Sequence, residues 1–194
     1  MESDNEDMPE LVGTRVRLRA LSMDDAAALH VIWSDHSVAR WLGAPPLVSV
    51  EETQELVALL LQMALEEESK RWCIVLPGGQ LIGSCGFNYW QFDGAYRGEI
   101  GCELTPAFWG QGYMTEALKL LLDYGFRQMG LNRIEALCHP VNTRAARLMS
   151  SLGFEREGLL RQYRHTPSGY EDSVLYALLR QDFRRDYLER EGSD

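Results

Sequence analysis

The sequence predicts an α+β fold of three layers, a mixed, mostly antiparallel sheet of about seven strands flanked by helices. Three observations predict it. Short alternating or apolar runs dominate residues 72–104, and strand-like and helix-periodic runs alternate after residue 104. No internal repeat or low-complexity linker divides the chain. Strands first, then strand–helix alternation, is the order expected of a mixed sheet covered by helices. At 194 residues, 45% hydrophobic and 25% charged, the chain is long enough to bury one good core. Residues 1–10 read as a disordered acidic tail, 11–181 as the single domain and 182–194 as a C-terminal extension.

The elements follow in order. Arg15–Arg19 reads as the first strand, and Ser22 caps a helix that opens at Met23-Asp24-Asp25. Ser49 and Glu52 have capping-box spacing, and behind them Leu56, Leu59, Leu60 and Met63 form a stripe expected in the core. Trp72–Leu76 and Leu81–Trp90 flank Pro77-Gly78-Gly79-Gln80, a hairpin turn. A third antiparallel strand, Arg97–Leu104, follows the turn at Asp93-Gly94. An apolar-periodic run from Ala117 to Phe126 reads as a helix, and Ile134–Cys138 as the next strand. Asn142 is placed as an N-cap, with Ala145, Ala146, Met149 and Leu152 at helical spacing and Gly153 at the C-terminal cap. Leu159–Tyr163 and Glu171–Leu179, joined through Pro167-Ser168-Gly169, complete the sheet.

Composition narrows the function. The four cysteines, Cys73, Cys85, Cys102 and Cys138, lie singly in apolar runs and read as core thiols, with no metal-ligand spacing. The acidic, polar N-terminus is unlike a signal peptide, and no apolar run approaches the roughly 18 residues of a membrane span. A cytoplasmic chain, monomer or homodimer, without a membrane partner is expected. The net charge of −10 argues against a nucleic-acid partner and favours a cationic acceptor, although part of it sits in the terminal segments.

The most informative stretch joins the Arg97–Leu104 strand to the following helix: Pro106-Ala107-Phe108-Trp109-Gly110-Gln111-Gly112-Tyr113-Met114-Thr115-Glu116. Two glycines let the backbone bend sharply and approach a ligand, and the unpaired N–H groups of the first helical turn favour an anion such as phosphate. No Lys follows Gly112, so this is not a nucleoside-triphosphate loop. Thr115 stands where a dinucleotide fingerprint needs a third Gly or Ala. Taken alone, the pair is also compatible with a plain strand-to-helix connection.

This stretch, together with His139-Pro140-Val141-Asn142 through Leu152-Gly153-Phe154, resembles the GNAT superfamily of acyl-coenzyme A-dependent N-acyltransferases. The first block is similar to the family's pyrophosphate loop and the second to its Asn-x-x-Ala…Leu-Gly-Phe helix. Leu11–Arg19 with Asp24-Asp25-Ala26, Leu42-Gly43, Trp72, Leu81-Ile82-Gly83, Glu99-Ile100-Gly101 and Gly169…Asp172…Leu175-Tyr176 resemble the RimJ/RimL-like subgroup that acetylates ribosomal-protein N-termini. The resemblance covers roughly residues 11–181. Trp109 replaces the loop's usual first Gln or Arg, and Met114 its usual Gly or Ala; both are tolerable where backbone N–H groups make the contacts.

The resemblance implies a GNAT fold and acetyl-coenzyme A as co-substrate. Its pyrophosphate would lie on Trp109, Gly110, Gln111, Gly112, Tyr113, Met114 and Thr115, and its pantetheine arm in a gap between two splayed strands. There the backbone of Cys102, Glu103 and Leu104 would pair with the arm, and one N–H would polarise the thioester carbonyl. Asn142 would be a further contact, a helix cap, or both. The acid for the thiolate is missing from its usual places, since Met149 and Ala145 replace a Tyr and a Ser.

The chemistry needs a neutral amine. At pH 7 this costs about 4–5 kcal/mol for a Lys side chain but only about 1 for an α-amine. Glu99 is the candidate base: alternation puts it on one face with Gly101 and Glu103, and Gly101 leaves room for an acceptor. A solvated strand carboxylate is the competing reading. Asp172 ranks lower. Trp41, Tyr89, Trp90, Phe92 and Tyr96 are candidates for an acceptor pocket or for ordinary packing. Three functions follow: N-acetylation of a protein or peptide N-terminus, acetylation of a small amine such as a polyamine, aminoglycoside or amino-acid-like metabolite, or acyl-coenzyme A binding without turnover.

Overall fold

The computed structural model describes residues 8–183; the expectations for residues 1–7 and 184–194 lie outside the described residues. In order, the chain forms β1 (Leu11–Val12), β2 (Arg17–Ala20), a 3-10 turn (Met23–Asp25), α1 (Ala26–Trp33), α2 (His36–Ala39), α3 (Val50–Leu65), β3 (Lys70–Val75), β4 (Leu81–Gln91) and β5 (Arg97–Leu104). A second 3-10 turn (Pro106–Phe108) leads to α4 (Tyr113–Arg127), β6 (Arg133–Cys138), α5 (Thr143–Ser151), β7 (Glu155–Thr166) and β8 (Gly169–Leu179). Eight strands form one sheet in the order β1-β2-β3-β4-β5-β6-β8-β7, one more than the sequence predicts. The expected first strand, Arg15–Arg19, is found as β2, and the added strand is β1, joined to it by a turn in which Gly13 N–H donates to the Val16 carbonyl. The expected tail is also shorter than read: Met8 is buried, and the Pro9 carbonyl accepts the Trp72 indole N–H at 3.0 Å.

Apolar side chains leave both faces of the sheet. On one, Leu118, Leu121 and Leu122 of α4 pack on Trp72, Ile74, Phe87 and Ile134. On the other, Leu29 and Ile32 of α1 and Val57 of α3 cover Cys73 and Val75. Each fully buried side chain of this kind stabilises the fold by about 1.5–3 kcal/mol before entropy is counted. The apolar stripe of α3 is displaced from expectation, because Thr53 and Val57 are buried while Leu59 is exposed. Thr53 sits at the contact with α1, its hydroxyl donating to the Ser49 carbonyl and touching His30 Nδ1 at 2.9 Å. Ser49 caps α3 as expected, but Glu52 reaches back to the N–H of Val48 rather than to the cap residue.

One junction positions the site. All neighbouring strands are antiparallel except β5 and β6, which pair in parallel from Arg97↔Arg133 to Ile100↔Ala136 and then separate. Beyond that point β5 stays with β4 as far as Leu104↔Gly83, and β6 stays with β8 as far as Cys138↔Val174. Each arm follows its outer neighbour, so a gap opens between Gly101–Leu104 and Leu137–Cys138.

Helix α4 crosses the sheet closely at Gly125, where a Cβ would fall 2.6 Å from Phe87 Cζ and 2.9 Å from Ile134 Cδ1, both buried. Gly125→Ala should therefore overpack the core by about 1–3 kcal/mol and lower Tm by roughly 2–10 °C in a thermal melt. An unchanged or raised Tm would show that the crossing has slack.

Candidate active site

The gap opens into a cleft of about 450 Å³ lined by Cys102, Glu103 and Leu104 of β5, the turn into α4, and Asn142, Ala145 and Leu148 at the start of α5. Gly110 and Gly112 both take left-handed conformations (φ 73° and 83°), and Gly112 is the N-cap of α4. These are conformations glycine adopts without strain, and they set the first turn of α4, with its free N–H groups, beside the cleft. Arg15 braces the turn from behind, with Nη1 donating to the Gln111 carbonyl and Nε to Glu116. Burial alone would raise the Glu116 pKa, but hydrogen bonds from the Arg15 backbone and guanidinium and from Val16 outweigh it and hold it below the usual range. The brace is therefore present above the carboxylate range and is lost as pH falls through the depressed value.

The loop residues divide in two. Trp109, Gly110, Gly112, Met114 and Thr115 line the cleft, whereas Gln111 and Tyr113 turn their side chains away. Gln111 donates to the Ala107 carbonyl, and Tyr113 packs on Phe108 beneath the Arg15 guanidinium. Trp109 is a strut: its indole N–H donates to the Leu104 carbonyl at 2.7 Å, and the Arg144 guanidinium stacks 3.7 Å over its ring. That bond takes one of the β5 backbone groups expected to face a pantetheine arm. Past Ile100, the edge of β5 that faces β6 has no strand partner among the described residues, so an extended ligand fits there as an added strand. Asn142 caps α5, its Oδ1 accepting from the Ala145 N–H at 3.1 Å, and also lines the cleft.

Burial disfavours ionised cysteine at the cleft. Cys102 packs against the core as expected and also lines the cleft; desolvation pushes its pKa up to about 12, and that of Cys138 to about 11. A thiol so rarely ionised at pH 7 does not attack a thioester. Met149 is buried, and Ala145 faces the cleft without a hydroxyl.

Glu99, Gly101 and Glu103 share a face of β5, but they are used differently. Glu103 lines the cleft with its carboxylate almost wholly buried. It accepts from the Trp33 indole (3.0 Å), from Arg71 (3.1 Å) and, in a short bond, from Ser84. Glu99 accepts from Asn88 Nδ2 at 3.1 Å and lies outside the cleft wall, about 7 Å along the strand from Gly101. The space above Gly101 is not free for an acceptor, since a Cβ there would fall 2.7 Å from Asn88 Oδ1. Sequence reasoning missed Arg71, Ser84 and Asn88 altogether.

Of the expected aromatic set, Trp41 reaches the cleft, while Phe92 and Tyr96 stack on each other at the surface. The other rim of the gap carries His139, whose ring lies 5.8 Å from that of Trp41. Its Nδ1 accepts from the Val141 N–H, and its Nε2 lies 3.4 Å from Glu171, so both nitrogens are engaged and the ring braces the rim. Asp172 accepts from the N–H of Gln162, a structural role at the β7 irregularity.

Known proteins resemble this chain in sequence and fold. Residues 15–155 match the family model of the acetyltransferase (GNAT) domain. The N-acetyltransferase p20 of Bacillus licheniformis, itself uncharacterized, is 34% identical over 91% of this chain and 99% of its own. The spermidine N(1)-acetyltransferase of Escherichia coli is 25% identical over 89% of this chain and 88% of its own. Among solved structures, Mycobacterium smegmatis RimJ in complex with a coenzyme A disulfide superposes with a TM-score of 0.76 at 27% identity. That match covers 84% of this chain and 81% of RimJ.

A pyrophosphate seated on the turn is expected to be displaced by a carboxylate at Gly110, where a new side chain meets nothing within 4 Å. Gly110→Asp should weaken coenzyme A binding by some hundreds-fold in calorimetry, from like-charge repulsion of about 3–4 kcal/mol at close range. Gly110→Asn, with the same shape and backbone strain but no charge, should lose about tenfold or less. Equal affinities for the two variants would remove the anion from this turn.

Proposed function

We propose that this chain, which belongs to the GNAT acetyltransferase family, acetylates the free α-amine at the N-terminus of a protein or peptide. That it is an N-acetyltransferase using acetyl-coenzyme A follows from the family; the acceptor is our reading. The observation that carries it is the absence of a strong base at the gap among the described residues. Glu103 is tied to Arg71, Trp33 and Ser84, Cys102 is held as a thiol, and both nitrogens of His139 are engaged. An acceptor that ionises near neutrality needs little help: relative to a Lys side chain, an α-amine saves about 3.5 kcal/mol of deprotonation. The likeness to RimJ agrees with this reading.

In the reaction proposed, the pyrophosphate rests on Gly110, Gly112, Met114 and Thr115, with backbone groups of Gln111 and Tyr113 and the Trp109 strut completing the turn. The arm lies along Cys102, Glu103 and Leu104, and Asn142 meets it from α5. Glu99 takes the proton of the incoming ammonium, and one water spans the distance from the strand face to the gap. The amine nitrogen then bonds to the thioester carbon while a β5 N–H donates to the carbonyl oxygen, where charge builds. Collapse breaks the C–S bond and gives the amide; the second amine proton leaves to solvent and coenzyme A departs as a thiolate that water can protonate.

The second reading is a polyamine acceptor, favoured by the likeness to a spermidine acetyltransferase and by the net charge of −10. Thiol release measured with free-N-terminus peptides containing an internal Lys, and with spermidine, separates the two. Peptides should be turned over, with mass spectrometry locating the acetyl group on the N-terminus; acetylation of spermidine alone, or of Lys alone, would overturn the α-amine reading. Thiol release from no amine would favour binding without turnover.

Glu99→Gln should slow turnover about 10²-fold or more while leaving coenzyme A affinity within twofold, with the loss widening as pH falls and more of the acceptor is protonated. A wild-type rate across the pH range would exclude Glu99 as the base.

A further inference from the structure

One face of the sheet carries a hydrogen-bonded chain of which the transfer reaction as described uses only the two ends, Glu99 and the backbone of Glu103. It starts in the cleft wall. Glu103 Oε1 takes the Trp33 indole N–H at 3.0 Å and the Ser84 hydroxyl, and Arg71 Nη1 reaches both Glu103 oxygens at 3.1 and 3.2 Å and Ser84 Oγ at 2.8 Å. The other terminal nitrogen of the same guanidinium, Nη2, donates to Asn88 Oδ1 at 3.1 Å. Asn88 Nδ2 in turn donates to Glu99 Oε1 at 3.1 Å. Four elements contribute: α1, β3, β4 and β5.

Each link fixes the next. A guanidinium is planar and offers only donors, so one Arg71 facing both Glu103 and Asn88 settles which end of the Asn88 amide points at it. The oxygen must face Arg71, and the NH₂ group is left to face Glu99. The backbone contributes as well. The β4–β5 register shifts between Phe87 and Tyr89, which makes Asn88 the extra residue of a bulge, and bulges re-aim side chains. Asn88 is thereby carried over Gly101, where any Cβ would collide with its amide. The glycine keeps the path of the chain clear.

We propose that Asn88, oriented by Arg71 and Glu103, is a positioning residue that aims the Glu99 carboxylate at the incoming ammonium. The inference rests on the proposed role of Glu99. One carboxylate oxygen is held by the amide, and the other is left for the acceptor's proton. Because Glu103 belongs to the backbone segment facing the thioester, the same guanidinium fixes the base relative to the reacting carbon. The charged and titratable neighbours of Glu99 are Arg71 on β3, Tyr89 opposite it on β4, Arg97 and Glu103 on its own strand, and Glu135 beside it on β6.

The test is a double-mutant cycle with a pH profile, run with whichever of a free-N-terminus peptide and spermidine the wild-type protein turns over faster. Asn88 is exposed, so its replacement leaves the core alone. Asn88→Ala should lower kcat about tenfold with coenzyme A affinity unchanged, and should cost nothing further in a Glu99→Gln background. Asn88→Asp, which keeps the bond to Arg71 but sets a carboxylate beside Glu99, should move the acid limb of the kcat/KM profile upward by about one pH unit. Two results overturn the proposal: Asn88→Ala with wild-type kcat while Glu99→Gln is slow, or equal losses from Asn88→Ala with and without Glu99. A wild-type rate for Glu99→Gln would remove the role of Glu99 itself, and the proposal with it. Arg71→Lys, which retains charge but loses the fork, should reproduce the Asn88→Ala loss in kcat.

Discussion

Two parallel strands that stop pairing halfway along leave a row of backbone donors and acceptors between them, and a buried row of that kind has to be satisfied by something. Here the break after Ile100↔Ala136 is enforced from outside, because β4 holds β5 and β8 holds β6 along diverging lines. The cleft depends on that divergence, and so do the proposed seat of an extended ligand and the proposed approach of an acceptor. The glycine turn gains its meaning from the same geometry: it lies directly after the unpaired arm of β5, so a ligand with a phosphate at one end and an extended arm at the other meets both at once. Neither feature would specify such a ligand alone.

The parts of the site that depend on nearest neighbours in the chain were legible in the sequence. Gly110 and Gly112 announce a turn with positive φ, Asn142 a cap, and the Glu99–Leu104 alternation a strand with two distinct faces. What could not be read is what crosses strands. Glu103 finds Ser84, Arg71 and Trp33 at sequence separations of 19, 32 and 70 residues, and no local pattern marks those residues as partners. Gly101 shows the difference well. Its lack of a side chain is visible in the sequence, and room for a ligand is a fair expectation, but a bulge one strand away fills that room with Asn88. On α3 the error has the opposite origin. A polar residue, Thr53, takes a buried position because its hydroxyl finds the Ser49 carbonyl and His30, so of the expected stripe Leu56 and Leu60 pack beside Val57 while Leu59 faces out.

The chemistry of the site is set more by what burial forbids than by what it activates. Desolvation disfavours the thiolates of Cys102 and Cys138, which argues against either as a covalent stop for the acyl group. That favours the proposed direct transfer, from sulfur to the acceptor nitrogen. Direct transfer asks for little beyond an aligned carbonyl, donors at its oxygen and a neutral amine. Position therefore matters more than basicity. A carboxylate is a weak base for any amine, and placing it well is the remaining means by which the protein can raise the rate.

That consideration gives the buried polar network a reason to exist. Burying Arg71 and Glu103 together costs desolvation that a pair of apolar residues would avoid, so stability alone does not account for it. An apolar pair would leave Glu99 as the only group holding the Asn88 amide, and the side chain would be freer to swing away into solvent. With the guanidinium in place, one orientation wins, and the charge on Glu99 faces a donor. The same guanidinium touches the strand that borders the gap, so the base and the reacting carbon are referred to one rigid group. A hydrogen-bond network across strands that are already paired by backbone adds little to folding but narrows the geometry of its members, which is the property a direct-transfer site requires.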